Sequence, residues 1–104
     1  MQKKTLEVVV YDIKPKFIAE YRTLHLPKFR DLVSSFEGMI SYQTLASCNQ
    51  EGKHIDLVEW QDLASAVKAA EMVKVMQQSD EFKGYLEAFD NVSFFHHFSE
   101  YSKT

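Results

Sequence analysis

Few side chains in this chain could move a proton near neutral pH. The sequence has four histidines, at His25, His54, His96 and His97. His25 falls inside an apolar series, Ile18, Tyr21, His25, Phe29, Leu32 and Phe36, spaced by threes and fours. An imidazole with an ordinary pKa of about 6.5 suits proton transfer there. The other reading is a neutral imidazole bonded to a backbone carbonyl, such as that of Thr23, which Pro27 would leave free. His54, Asp56, Val58 and Trp60 alternate, so on a strand they share one face. A covered carboxylate needs a partner, and Asp56 could pair with His25 or His54 to orient a base; at a wet rim the two groups need no such role. Tyr21 and Tyr85 could orient a planar ligand or simply fill a core. His96 and His97 are adjacent, point to opposite faces of a strand and make a poor joint metal site, so no metal is expected. With three glycines and no Gly-rich phosphate loop, most nucleotide fingerprints are excluded.

The elements that must carry these residues follow from periodicity. Leu6 to Ile13 is a β-branched, aromatic stretch that predicts a strand, stopped at Lys14-Pro15. Lys16 to Phe36 has helical spacing, with Pro27 predicting a kink and Gly38 a left-handed cap. Met39 to Ser47 and Lys53 to Trp60 read as strands joined by a hairpin through Gly52. Asp62 should cap a second helix whose buried stripe is Leu63, Val67, Ala70 and Val73. Ser79 should cap a short third helix with Phe82, Tyr85, Leu86 and Phe89 on its apolar face, broken at Asp90-Asn91. Val92 to Tyr101 completes the series as an aromatic strand.

This order predicts one α+β domain over residues 1–104, a ferredoxin-like βαββαβ unit. Right-handed crossovers would place the helices on one face of a four-stranded antiparallel sheet. A chain of 104 residues is long enough for one core. A net charge of −3, with its basic residues spread out, argues against a nucleic-acid module. The apolar run Val8 to Val10 is too short for a signal peptide or membrane span, and Cys48 stands alone, so a soluble cytoplasmic protein without membrane partners is expected.

Helices cover only one face. If Leu6, Val8 and Val10 turn toward them, then Val9, Tyr11 and Ile13 point away, beside Ile55 and Leu57 and with Glu7 and Glu59. An apolar open face marks an interface, and a homodimer packed sheet to sheet is expected.

Three stretches, Phe36-Glu37-Gly38-Met39-Ile40-Ser41-Tyr42-Gln43-Thr44-Leu45, Leu57-Val58-Glu59-Trp60 and Ser79-Asp80-Glu81-Phe82-Lys83, resemble the dimeric α/β barrel superfamily, in particular its antibiotic-biosynthesis-monooxygenase-like group. The resemblance implies a Trp60 that faces the helices, and with it His54 and Asp56. It implies either a cofactor-free oxygenase acting on, or a protein binding, an aromatic or polyphenol-type small molecule. In that reading His25 is the base and Asp56 its orienter, and Tyr21, Phe29, His54, Trp60 and Tyr85 form the pocket. The alternative is a non-catalytic dimer that binds a small molecule or a partner protein. The heme-degrading branch matches at Trp60 but has Leu86 where its histidine ligand should stand and no asparagine in Leu6 to Ile13. No cofactor is therefore expected.

Overall fold

The computed structural model describes residues 3–102. Four strands, β1 (Thr5–Ile13), β2 (Met39–Ala46), β3 (Lys53–Trp60) and β4 (Phe89–Phe98), form one antiparallel sheet in the order β2-β3-β1-β4. This is the expected ferredoxin-like arrangement, with each strand–helix–strand half returning beside the other. The hairpin between β2 and β3 turns at Gly52, whose φ of 85° is open to glycine at little cost. Gly52 also gives its carbonyl to the Ile13 amide at 2.8 Å, tying the end of β1 to the turn.

The facing of β1 is the reverse of the expectation. Pairing sets Val9 opposite Asp56 and Tyr11 opposite His54. Directly paired residues share a face, and β3 turns His54, Asp56, Val58 and Trp60 inward, where all four are buried. Tyr11 and Ile13 therefore lie under the helices, and Leu6, Val8 and Val10 lie on the open face. Glu7 moves inward with them, whereas Glu59 stays outside. The sequence of β1 is apolar on both sides over Val8 to Val10, so alternation within the strand could not decide its facing; the register against β3 does.

The first helix is not a single kinked α-helix. A 3-10 turn (Pro15–Phe17) leads into α-helical Ile18–Glu20, a π-helical turn (Tyr21–His25) and a second α-helical segment (Leu26–Ser34). The Leu26 amide reaches back to the Tyr21 carbonyl, five residues away. Proline at 27 has no amide to donate and its ring would strike the carbonyl four residues earlier. The wider turn admits that ring and the helix runs on. It also inserts one residue into the side-chain register. Tyr21 and Phe29 stay buried, but Leu26 and Val33 join them, while His25 moves to the margin. Gly38 has the expected positive φ, 90°, but it lies in the turn before β2; the helix ends at Ser34, with Ser35 in the cap position.

The second helix (Leu63–Met76) has the expected cap, with Asp62 Oδ1 accepting from the Ser65 amide at 2.7 Å. Its buried face differs. Ala66 and Ala69 sit against the sheet, while Leu63 and Val67 are 53% and 43% exposed. Small side chains let the helix approach a floor already filled by Trp60 and the tyrosines, which a stripe of larger residues would prevent. Ser79 does not cap; its hydroxyl donates to the Met76 carbonyl at 2.8 Å. A 3-10 turn (Asp80–Phe82) and a short helix (Lys83–Ala88) follow, burying Phe82, Tyr85 and Ala88. Leu86 is 39% exposed at the margin of that core, and Phe89 already belongs to β4, which starts three residues earlier than expected and takes in Asp90 and Asn91.

Gly38 gives a direct test of this packing. A Cβ there would lie 2.6 Å from the Ser65 side chain, at a positive φ that L residues rarely adopt. Gly38→Ala is expected to cost about 1–3 kcal/mol, read as a lower urea midpoint with an unchanged slope.

Candidate functional site

Asp56 is the chemical centre of the sheet's inner face. It comes from the middle of β3 and is 5% exposed. Its Oδ1 accepts from the Tyr11 and Thr44 hydroxyls, both at 2.8 Å, and its Oδ2 accepts from the Tyr42 hydroxyl at 2.8 Å. Tyr11 comes from β1, Tyr42 and Thr44 from β2. Register explains the convergence: Thr44 pairs with Asp56, and Tyr42 with Val58 two residues on. A carboxylate offers roughly four acceptor positions; these three bonds leave one open, on Oδ2.

Burial raises the Asp56 pKa above its usual 3.8. The three hydroxyl bonds and the positive charge of Arg30 oppose that rise without cancelling it. Arg30 reaches in from the first helix, its Nη2 donating to Thr44 Oγ1 at 3.1 Å and its guanidinium 5.0 Å from the Tyr42 ring centre. Burial likewise raises the phenols of Tyr11, Tyr42 and Tyr85, with the Asp56 charge adding to it. They remain protonated donors near neutral pH. Asp56 is therefore a carboxylate that is easier to protonate than usual, set among phenols that are harder to ionise.

Asp56 borders a cavity of about 470 Å³ between the sheet and the helices. Its walls are mostly apolar and aromatic, with Phe29, Val58, Trp60, Tyr85 and Phe89 prominent. Trp60 is 1% exposed, and its indole N–H is buried with no hydrogen-bond partner among the described residues. A buried donor left without a partner costs about 1–3 kcal/mol, and the residue that carries it lines the cavity beside an acid with one open acceptor position.

Of the residues singled out from the sequence, Asp56, Phe29, Trp60 and Tyr85 line this cavity together. Tyr21 stands behind it, fully buried, sharing a 2.7 Å hydroxyl–hydroxyl bond with Tyr11. His54 is also behind, stacked on the Tyr11 ring at 5.5 Å between centres. Its Nδ1 lies 2.8 Å from the Gly52 carbonyl and its Nε2 accepts from Arg22 at 3.2 Å, so both nitrogens are engaged away from Asp56. His25 is outside the lining. Its Nε2 is 2.8 Å from Glu20 Oε2 and its ring lies against the Gly84 backbone. The expected pairing of Asp56 with His25 or His54 does not form; Tyr11, Tyr42 and Thr44 take that place.

The sequence reading missed Tyr11, Tyr42, Thr44 and Glu7. Tyr11 and Glu7 were lost with the facing of β1. Tyr42 and Thr44 alternate visibly on β2, but only the register against β3 brings them to Asp56. Glu7 lines the same cavity, 13% exposed in its side chain, with Oε1 3.0 Å from His97 Nε2. Burial raises its pKa too, against the lowering effect of His97.

The raised pKa of Asp56 makes stability depend on pH in one direction. The folded state holds this proton more tightly than the unfolded chain, so stability is lost as pH rises from about 3.8 through the folded-state pKa. Asp56→Asn removes that loss. Melting temperatures of variant minus wild type should climb across this pH window and then level off, by about 4–8 °C for each kcal/mol; a difference flat with pH would contradict it.

No family model matches the chain, and no curated protein matches it. Solved structures do. A Bordetella bronchiseptica protein, named as a candidate antibiotic biosynthesis monooxygenase, superposes with a TM-score of 0.73 at 16% identity, covering 97% of this chain and 100% of that one. A Caulobacter crescentus protein of the same name gives 0.71 at 15%, covering 97% and 92%. SnoaB, a cofactor-independent oxygenase from Streptomyces nogalater, gives 0.63 at 12%, covering 98% and 95%. At these identities the likeness is one of fold: the chain adopts the ferredoxin-like fold of the antibiotic-biosynthesis-monooxygenase-like proteins, the group its sequence resembles.

Proposed function

We propose that this chain is a cofactor-independent oxygenase acting on an electron-rich aromatic or polyphenol-type small molecule, with Asp56 as the base. The observation that carries the reading is the single open acceptor position on a desolvated carboxylate facing an apolar cavity. A substrate hydroxyl or activated C–H beside Oδ2 gives its proton to Asp56. Burial favours the neutral acid that results. The electron density left on the substrate is met by the Trp60 indole N–H, whose missing partner an oxyanion would supply. Aromatic walls keep water away from the carbanion. Dioxygen then takes an electron from it, and the radical pair joins as a peroxide, which takes the proton back from Asp56. At a methylene flanked by aromatic rings the peroxide loses water, so one oxygen atom stays as a carbonyl and the other leaves in water. SnoaB, of the same fold, is a cofactor-independent oxygenase.

The protein is further proposed to work as a cytoplasmic homodimer. On the open sheet face Leu6, Val8, Val10, Leu57, Phe94 and Phe98 form an apolar surface, with the rings of Phe94 and Phe98 stacked 6.1 Å apart. A patch of this kind is a partner surface in proteins of this size, and an identical face is its simplest complement.

Oxygen uptake with a panel of anthrones and quinols tests the reaction. Asp56→Asn should lower turnover by about 10²–10⁴, whereas His25→Ala should keep it. The acidic limb of the kcat/KM profile should lie above the ordinary carboxylate range, with activity rising as Asp56 ionises. Saturable quenching of Trp60 without oxygen uptake would leave a small-molecule-binding protein instead. For the dimer, sedimentation of Val8→Asp should show a monomer where the wild type shows two chains.

A further inference from the structure

Two acids border the cavity, and the proposed proton transfer uses only Asp56. The other, Glu7, lies on the same face of the sheet. Val9 is directly opposite Asp56, so Glu7, two residues along β1, is its diagonal neighbour. Such neighbours sit roughly 7–8 Å apart, within the span of a small fused-ring molecule lying on the sheet.

The two acids are held differently. Asp56 is bound by three hydroxyls. Glu7 is bound at one oxygen only, Oε1, by His97, and Oε2 has no hydrogen-bond partner among the described residues. His97 comes from β4, directly opposite Glu7, and its side chain is 19% exposed. It separates the inner cavity from an outer hollow of about 400 Å³ that Lys3 and Asp62 also border. The imidazole thus holds Glu7 by Oε1 and leaves Oε2 available to a ligand donor. A half-buried carboxyl with an unbonded oxygen gains from a donor brought to it, and the inner cavity is where Glu7 meets open space.

We propose that Glu7, positioned by His97, is a second ligand anchor, so that the cavity selects rigid aromatic molecules carrying two oxygen functions, one for Asp56 and one for Glu7, over single phenols. This rests on the reading of the cavity as an aromatic-ligand site and adds a second point of recognition to it. The raised pKa of Glu7 fits the same placement, since a group kept from water gains most from a ligand hydroxyl.

Binding alone tests it. Wild-type protein is titrated with 1-naphthol and with the isomeric dihydroxynaphthalenes, following Trp60 fluorescence corrected for absorbance. At least one diol should bind about tenfold or more tightly than 1-naphthol, the effect of one extra charge-assisted hydrogen bond. The double variant Glu7→Leu with His97→Leu, which leaves neither partner unpaired, should bind that diol no better than it binds 1-naphthol. Glu7→Gln, which keeps the size of the side chain, should lose at least threefold of the preference if the double variant does not fold by circular dichroism. Equal binding of naphthol and every diol overturns the second anchor and leaves the aromatic site standing. A preference that survives in either folded variant also overturns it. No binding of any of these compounds to the wild type overturns both readings.

Discussion

A carboxylate placed out of water is the constraint around which the rest of this molecule is arranged. Taking Asp56 into the sheet costs several kcal/mol. Three hydroxyl hydrogen bonds to a charged acceptor return about 1.5–3 kcal/mol each. The two sides are of the same order, so the acid is held without being made comfortable, and its proton affinity rises. Those hydroxyls come from both neighbouring strands, and Arg30 and Tyr21 join the network from the first helix. Sheet pairing and helix docking are thereby tied to one oxygen pair, and an error in either register would strand the charge.

The first helix shows how a local rule propagates into the site. Pro27 requires a wider turn, the wider turn adds a residue to the register, and the register decides which side chains meet the sheet. Phe29 and Val33 reach the cavity wall while His25 is carried to the edge and bonds Glu20. The second helix contributes by being small. Alanines at 66 and 69 let it lie close where Trp60 and the tyrosines fill the floor, and farther along the helix Val73 and Ala70 border open space. The cavity is thus a product of mismatched side-chain sizes on two helices over an aromatic floor.

The two faces of the sheet are chemically distinct. Inside, each polar group of β3 is bound: His54 by Gly52 and Arg22, Asp56 by three hydroxyls. Outside, the same strands present mainly aliphatic and phenyl groups. The twofold alternation of a strand allows both on one chain without interference, and a partner on the open face would leave the inner cavity untouched.

The sequence by itself determined the order of elements, the β3 face with His54, Asp56, Val58 and Trp60 together, the Asp62 cap and the glycine at 38. Each depends on interactions within a few residues: alternation, a cap's reach, a positive φ. Phe29, Trp60 and Tyr85 were also legible, because large aromatics at regular spacing on three elements turn toward one core. Tertiary structure decided the rest. The facing of β1 depended on pairing with β3, since a run of valines satisfies either face. Tyr11, Tyr42 and Thr44 reach Asp56 only through inter-strand register, and Glu7 meets His97 from ninety residues away. The fate of His25 turned on one extra residue in a π-turn, which displaces every side chain after it by about 100° around the helix axis.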